Sequence, residues 1–249
     1  MRDFIGCTDQ VKAGPNRSRL DAAASTNATL LRDAPANLYG WYLENNAAYD
    51  AFVKFYDKAG VPVPAALAAI LTAANAYVSI DLSANADNRF NFDVTDGTTL
   101  THVSLAPVDG TSSVISLAQA VTAINTALTG GGTNVTASSA SGKLVFTTSA
   151  TGSGATVTVS NVTVTGTTPV AVASNLGISP TTTGQTATGT AADVPAFTVK
   201  VKAGLAEEKD WPFGIPFTVG LAYVATKLYA DTDTTVLVAH DVQGVLLWK

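Results

Sequence analysis

Two histidines, His102 and His240, a single cysteine, Cys7, and nineteen acidic side chains are the groups from which this 249-residue chain could build a catalytic or metal site. Each histidine sits alone in a strand-like stretch, without a carboxylate or cysteine at metal-ligand spacing. A zinc site needs three or four ligands, so both are expected to be exposed or hydrogen-bonded strand residues. Serine is abundant, but no Gly-x-Ser-x-Gly elbow occurs, and a triad cannot be assembled without a base. Gly130-Gly131-Gly132 and Gly152-Ser153-Gly154 are not followed by the Gly-Lys-Ser/Thr of a phosphate loop. Asp81, Asp87, Asp93 and Asp96 cluster in sequence, and Asp231 lies near Asp233. Hard cations favour such oxygen ligands, yet neither spacing is that of a calcium loop. A carboxylate pair for glycoside hydrolysis is disfavoured by the near absence of acids from the middle of the chain. The expectation is a protein that is not an enzyme, with no cofactor and no metal. Tyr39, Trp41, Tyr42, Phe52, Phe55 and Tyr56 could form a carbohydrate platform. At strand spacing such rings read better as core plus an intersubunit face.

The distribution of charge is more telling. Between Gly97 and Ala192 only Asp109 and Lys143 are ionised, whereas the flanks hold every Trp and Tyr. Charged residues make up 13% of the chain, about half the usual ~25%. Solubility then requires covered apolar faces, and a homo-oligomer or larger assembly is expected. A net charge of −5 argues against nucleic acid as a partner. The clustered Lys12, Arg17 and Arg19 read as a solvated tail, or as an arm laid on an acidic partner surface. No apolar run reaches the ~18 residues of a membrane span, so no membrane partner is expected. The N-terminus lacks the apolar stretch of a signal peptide, and a lone cysteine makes no internal disulfide.

Residues 1–26 show no sustained period and read as an N-terminal arm. Strands are predicted at Asn27–Arg32, Leu38–Asn45 and Ala51–Asp57. After the stiff Gly60-Val61-Pro62-Val63-Pro64, the spacing of Leu67, Ile70, Leu71 and Ala74 predicts a helix over 65–76. Strands follow at Val78–Leu82, Arg89–Val94 and Thr99–Leu105, the last two joined by an Asp96-Gly97 hairpin. Ser116 to Gln119 is a capping box. It opens a helix whose stripe is Leu117, Val121, Ile124 and Leu128 and which Gly130-Gly131-Gly132 ends. Strands at Asn134–Ser138, Lys143–Thr148 and Thr156–Val164 come next, then a short helix over Val170–Leu176 and a Thr/Gly/Ala linker over 181–192. Ala196–Lys202 alternates as a half-buried strand. Leu205–Asp210 reads as a charged loop, and Trp211 to Phe217, with two prolines, as an edge segment. Strands at Gly220–Thr226, Thr235–Ala239 and Val242–Trp248 complete the chain. The fold class expected is mainly β: an antiparallel β-sandwich host domain from 27–76 and 193–249, with an inserted α+β domain over 77–192.

Leu38-Tyr39-Gly40-Trp41-Tyr42-Leu43-Glu44-Asn45, Phe52-Val53-Lys54-Phe55-Tyr56-Asp57-Lys58-Ala59 and Trp211-Pro212-Phe213-Gly214-Ile215-Pro216-Phe217-Thr218-Val219-Gly220 resemble small virion proteins of tailed bacteriophages. The resemblance extends through Ala230-Asp231-Thr232-Asp233 and covers about 110 residues of the host halves. In the shorter relatives a short loop joins the two parts. The middle of the chain resembles a module of phage tail sheath and flagellar filament proteins. There the match is carried by Phe90-Asn91-Phe92-Asp93-Val94, Leu117-Ala118-Gln119-Ala120-Val121-Thr122-Ala123-Ile124-Asn125 and Gly142-Lys143-Leu144-Val145-Phe146-Thr147-Thr148. The resemblance implies a non-catalytic structural protein of the virion, made in the host bacterial cytoplasm. It further implies a capsid decoration (cement) role, with the sandwich docked on the major capsid protein or another virion protein and the module projecting. The alternative is a tail or adsorption component that binds a host glycan. Candidate interface residues are Trp211, Phe213, Ile215 and Phe217, with Arg17 and Arg19 of the arm. The competing reading of the aromatic segment is a plug for the bottom of the sandwich.

Overall fold

The computed structural model describes residues 15–25, 27–82, 87–107, 114–166, 173–178, 184–231 and 233–249. Cys7 and Lys12, the start of the 170–176 helix and the first residues of the 181–192 linker lie outside them. The fold is mainly β, with one α-helix among the described residues. The chain divides into two compact units: residues 1–65 with 192–249, and residues 66–191.

The first unit contains β1 (Asn16–Asp21), β2 (Thr29–Arg32), β3 (Ala36–Asn45), β4 (Ala51–Asp57), β14 (Phe197–Val201), β15 (Ala206–Phe217), β16 (Leu221–Thr226) and β17 (Val242–Trp248); the intervening numbers belong to the second unit. They form two four-stranded antiparallel sheets, ordered β1-β17-β3-β15 and β14-β4-β16-β2. Alternate side chains of a strand point to opposite faces. Leu20, Leu38, Trp41, Leu43 and Leu246 of the first sheet therefore meet Val53, Phe55, Val201, Leu221 and Tyr223 of the second in one apolar cluster. Buried Asn45 locks the β3–β4 connection. Its Nδ2 donates to the carbonyls of Tyr49 (2.8 Å) and Val201 (2.9 Å), and its Oδ1 accepts from the Ala47 N–H.

The second unit contains β5 (Ala68–Thr72), β6 (Ile80–Asp81), β7 (Arg89–Thr95), β8 (Leu100–Leu105), β9 (Val114–Ile115), α1 (Leu117–Gly131), β10 (Val135–Ala140), β11 (Lys143–Thr151), β12 (Thr156–Thr165) and β13 (Gln185–Thr188), with a 3₁₀ turn at Ala173–Leu176. Its sheets run β10-β11-β5, β13-β12-β7-β8 and β6-β9. The capping box forms: Ser116 Oγ accepts from the Gln119 N–H, and Gln119 Oε1 accepts from the Ser116 N–H. Ala120, Ile124 and Leu128 are the buried side of α1, while Leu117 and Val121 pack partly buried at its border. The helix runs through Gly130 and Gly131, and Gly132 ends it at φ 73°, a left-handed cap that glycine adopts without a Cβ clash. Phe90, Phe92 and Phe146 anchor the core below it.

Four expectations fail, each for a physical reason. Residues 65–76 form strand β5 and no helix: Ala69 and Leu71 are buried, while Leu67 and Ile70 are more than half exposed. The apolar residues thus alternate between faces, and small buried alanines hid the period of two. Of the expected loop 205–210, residues 206–210 are the start of β15, an edge strand whose open side tolerates charge. Within the Thr-rich linker, Gln185–Thr188 pairs with β12. Residues 235–239 form no strand. Asp233 and Asp241 accept from the Leu228, Thr235 and Val238 N–H groups and hold the segment in turns. In addition, Asn16–Asp21 within the expected arm is a regular strand on β17, with Leu20 in the core.

Candidate interaction surface

The aromatic segment 211–217 is split by a bulge. β15 pairs with β3 from Ala206 to Asp210 and again from Ile215 to Phe217, with four residues, Trp211 to Gly214, set against the single Tyr39 between. Gly214 adopts φ 71° there, a left-handed conformation in which an added Cβ would stand 3.0 Å from the Asn37 Cβ, closer than ordinary contact. Pro216 lies opposite Asn37, whose N–H and carbonyl are both taken by Lys249, so its missing donor leaves nothing unpaired. The four predicted residues therefore have different fates. Phe217 is 2% exposed, in the core beside Phe197. Ile215 packs partly buried against the same core. Trp211 folds back edge-on to Trp41, with centroids 4.7 Å apart. Phe213, at the tip of the bulge, is 86% exposed. Arg17 and Arg19 are exposed on β1, at the opposite edge of the same sheet.

Between edge strands β14 and β15 lies an open cleft of about 350 Å³. Trp41, Phe197 and Trp211 provide aromatic walls, with Lys200, Glu207 and Lys209 beside them. Trp41 stacks on Phe55 and Phe197, and its buried indole N–H has no acceptor among the described residues. Lys200 is held by Asp50 at 2.6 Å. The cleft offers ring faces and charges of both signs, which suit a polar ligand with an apolar side.

The titratable groups elsewhere act as local fasteners. His102 Nδ1 lies 2.8 Å from Asp93 Oδ1, and Asn161 Nδ2 donates to Asp93 Oδ2. Burial opposes the Asp93 charge, but those two hydrogen bonds outweigh it and hold the carboxyl below its ordinary range. Across the sheet the row reads His102, Asp93, Ser160. The acid stands in the middle, whereas a hydrolytic triad needs the imidazole between acid and hydroxyl. His240 Nδ1 is 2.8 Å from Asp21 Oδ1, and that hydrogen bond holds the Asp21 carboxyl below its ordinary range. His240 sits in a turn at φ 67°, not in a strand. Asp57 accepts from the N–H groups of Thr218, Val219 and Gly220 and from the Thr218 hydroxyl. Partial desolvation works against the charge, but these donors bring the carboxyl down to about 2. Lys54 is buried on β4, and its Nζ donates to the Ala230 carbonyl at 2.5 Å. Burial lowers its pKa against the attraction of Asp233 and Asp231. Among the described residues, no three His, Cys, Asp or Glu side chains converge as a metal cluster.

Sequence reasoning missed the Asp93–His102 pair: a two-residue Asp96-Gly97 turn would set residue 93 opposite residue 100, whereas the loop spans residues 96–99, so Thr95 pairs with Leu100 and Asp93 with His102. The Asp21–His240 pair spans 219 positions and has no local signal. The chain matches no family model, no curated protein and no solved structure.

Proposed function

We propose that the protein is a non-enzymatic structural component of a tailed-bacteriophage virion, most specifically a capsid decoration protein. In this reading the described residues of the first unit, from 15 to 65 and from 192 to 249, are an antiparallel β-sandwich that docks on the major capsid protein or another virion protein. Residues 66–191 are an inserted α+β domain that it carries. The observation that carries the reading is the division of the chain into two compact units at residues 65 and 192. The second boundary coincides with the return of charge after Ala192, and the first lies just past the host resemblance, which pauses at Ala59, and well before the charge-poor stretch that begins at Gly97. Phe213 stands exposed on its bulge and is the apolar contact that this reading assigns to the partner. The ionisable groups described above are consistent with this role, being spent on turns and strand pairs. The test is addition of purified protein to undecorated capsids. Saturable binding and a raised heat resistance of the shell support the proposal; binding to tails or to host cells alone refutes it.

A second reading, a tail or adsorption component that binds a host glycan, is favoured by the aromatic cleft between β14 and β15. A glycan array probed with the full chain and with Trp211→Ala tests it: glycan binding lost in the variant supports this reading, and no binding removes it.

A further inference from the structure

The two edges of the β1-β17-β3-β15 sheet carry opposite charge on the same face. Cross-strand rows run Arg19, Val245, Tyr42, Glu208 and Arg17, Leu247, Gly40, Asp210. Both rows lie on the face opposite buried Leu20, Trp41, Leu43 and Leu246. Arg17, Arg19, Glu208 and Asp210 are all exposed. Among the described residues Arg17, Glu208 and Asp210 have no ion-pair partner, while Arg19 touches Asp21 of its own strand at 3.1 Å.

The backbone of the two edges is complementary as well. The Asn45 N–H donates to the Leu205 carbonyl. Bonded and non-bonded pairs alternate along an antiparallel ladder, so Glu207 and Lys209 bond to β3. The N–H and C=O groups of Ala206, Glu208 and Asp210 therefore point away from it. The Ala22 N–H donates to the Val242 carbonyl, and by the same alternation the backbone groups of Arg17, Arg19 and Asp21 point away from β17. β1 and β15 run antiparallel to one another, because three antiparallel steps separate them. The proline-free stretch from Ala206 to Trp211 is six residues long, the length of β1.

We propose that β1 of one copy of this chain adds to β15 of the next and continues the sheet antiparallel, with Arg19 opposite Glu208 and Arg17 opposite Asp210. In that register Asp21 faces Ala206 and all outward backbone groups are matched. Sliding by two residues one way sets Asp21 against Glu208; sliding the other way leaves Asp210 beyond the start of β1. Charged edges ordinarily keep strands apart. Here the signs are sorted, so β15 repels β15 and β1 repels β1, while β1 and β15 attract. The contact is head-to-tail and closes into a ring if the rotation between copies allows. It concerns copies of the free protein and does not rest on the virion reading.

The test is sedimentation of the purified full chain at low salt, beside Arg17→Glu/Arg19→Glu, Glu208→Lys/Asp210→Lys and an equimolar mixture of the two variants. The wild type is expected to associate. Each variant, folded by circular dichroism, is expected to associate at least about tenfold more weakly, as close charge pairs at interfaces dictate. The mixture is expected to recover association, since the acidic edges of one variant meet the basic edges of the other. A Cys7→Ser chain with Arg19→Cys and Glu208→Cys is expected to form intermolecular disulfides, because directly bonded partners lie ~5.5 Å apart at Cα. A wild type monomeric at the highest soluble concentration overturns the proposal. So does association indifferent to both charge reversals, a mixture that fails to recover it, or cross-links absent from the paired cysteines. None of these outcomes bears on whether the chain binds capsids.

Discussion

Phe213 and Phe217 are four residues apart on one strand, and their truncation separates surface from core. Phe217 is 2% exposed and packs against Phe197 in the cluster between the two sheets. Phe217→Ala leaves a cavity there and costs about 3–5 kcal/mol. A body of this size shifts its midpoint by about 4 °C per kcal/mol, so the expected fall is roughly 12–20 °C. Phe213 is 86% exposed, and Phe213→Ala is expected to change stability by less than about 0.5 kcal/mol, or roughly 2 °C. Trp211→Ala falls between, at about 2 kcal/mol, because it loses the edge-on contact with Trp41 and part of its buried area. The assay is thermal unfolding followed by tryptophan fluorescence. Trp41, Trp211 and Trp248 all belong to the first unit, so the signal reports that unit alone. Binding to particles is measured on the same variants, and Phe213→Ala is expected to weaken it at unchanged midpoint. A Phe213→Ala midpoint lowered by many degrees, or a Phe217→Ala midpoint left in place, refutes this division of the segment.

Four further outcomes are expected. Replacing residues 66–191 by a short Gly/Ser linker should leave a soluble, cooperatively melting first unit, since Val63 and Asp193 are already joined by a 2.8 Å backbone hydrogen bond; loss of the fluorescence transition counts against it. Ser116→Ala should cost about 1 kcal/mol by removing the N-cap of α1, seen as faster amide exchange in that helix with the tryptophan transition unmoved. Asp57 titrates at about 2 in the folded chain, below the ordinary carboxylate value of ~3.9. Its stabilisation is therefore complete above ~4 and is lost as pH falls towards 2; Asp57→Asn should flatten that part of the stability–pH curve, and an unchanged curve contradicts the assignment. Lys54→Met should preserve or raise the melting midpoint, because burial disfavours the ammonium; a clear fall means that its bond to Ala230 outweighs desolvation.

The sequence was most legible where the determining signal is local. Ser116 and Gln119 mark the start of α1 because a capping box needs only four residues. Ser141-Gly142 marks a hairpin because both residues take positive φ, and Asp96-Gly97 because Gly97 does, a backbone state that selects residue type. Legibility failed where partners are distant. Glu207, Glu208, Lys209 and Asp210 look like a loop, since only β3, more than 160 positions earlier, makes them a strand. Gln185–Thr188 has no apolar alternation to betray it, because only the small Ala187 on its half-buried face packs against the core. Leu67, Ile70 and Leu71 fit helical spacing equally well, and only burial decides which of them face the core. For the candidate surface, the sequence pointed to 211–217 as one apolar patch. The bulge at Trp211 to Gly214, set by Gly214 and the two prolines, divides it between core and solvent. The opposed charges of β1 and β15 were invisible, because only the strand order brings them to two ends of one sheet.

Electron cryomicroscopy of the particle that contains this protein tests the decoration role at its root. A decoration protein gives density for the first unit seated on the outer face of the capsid shell, in many copies at symmetry-related positions, with Phe213 at the contact. Density confined to the tail, or a particle whose shell is complete and fully stable without the protein, contradicts it.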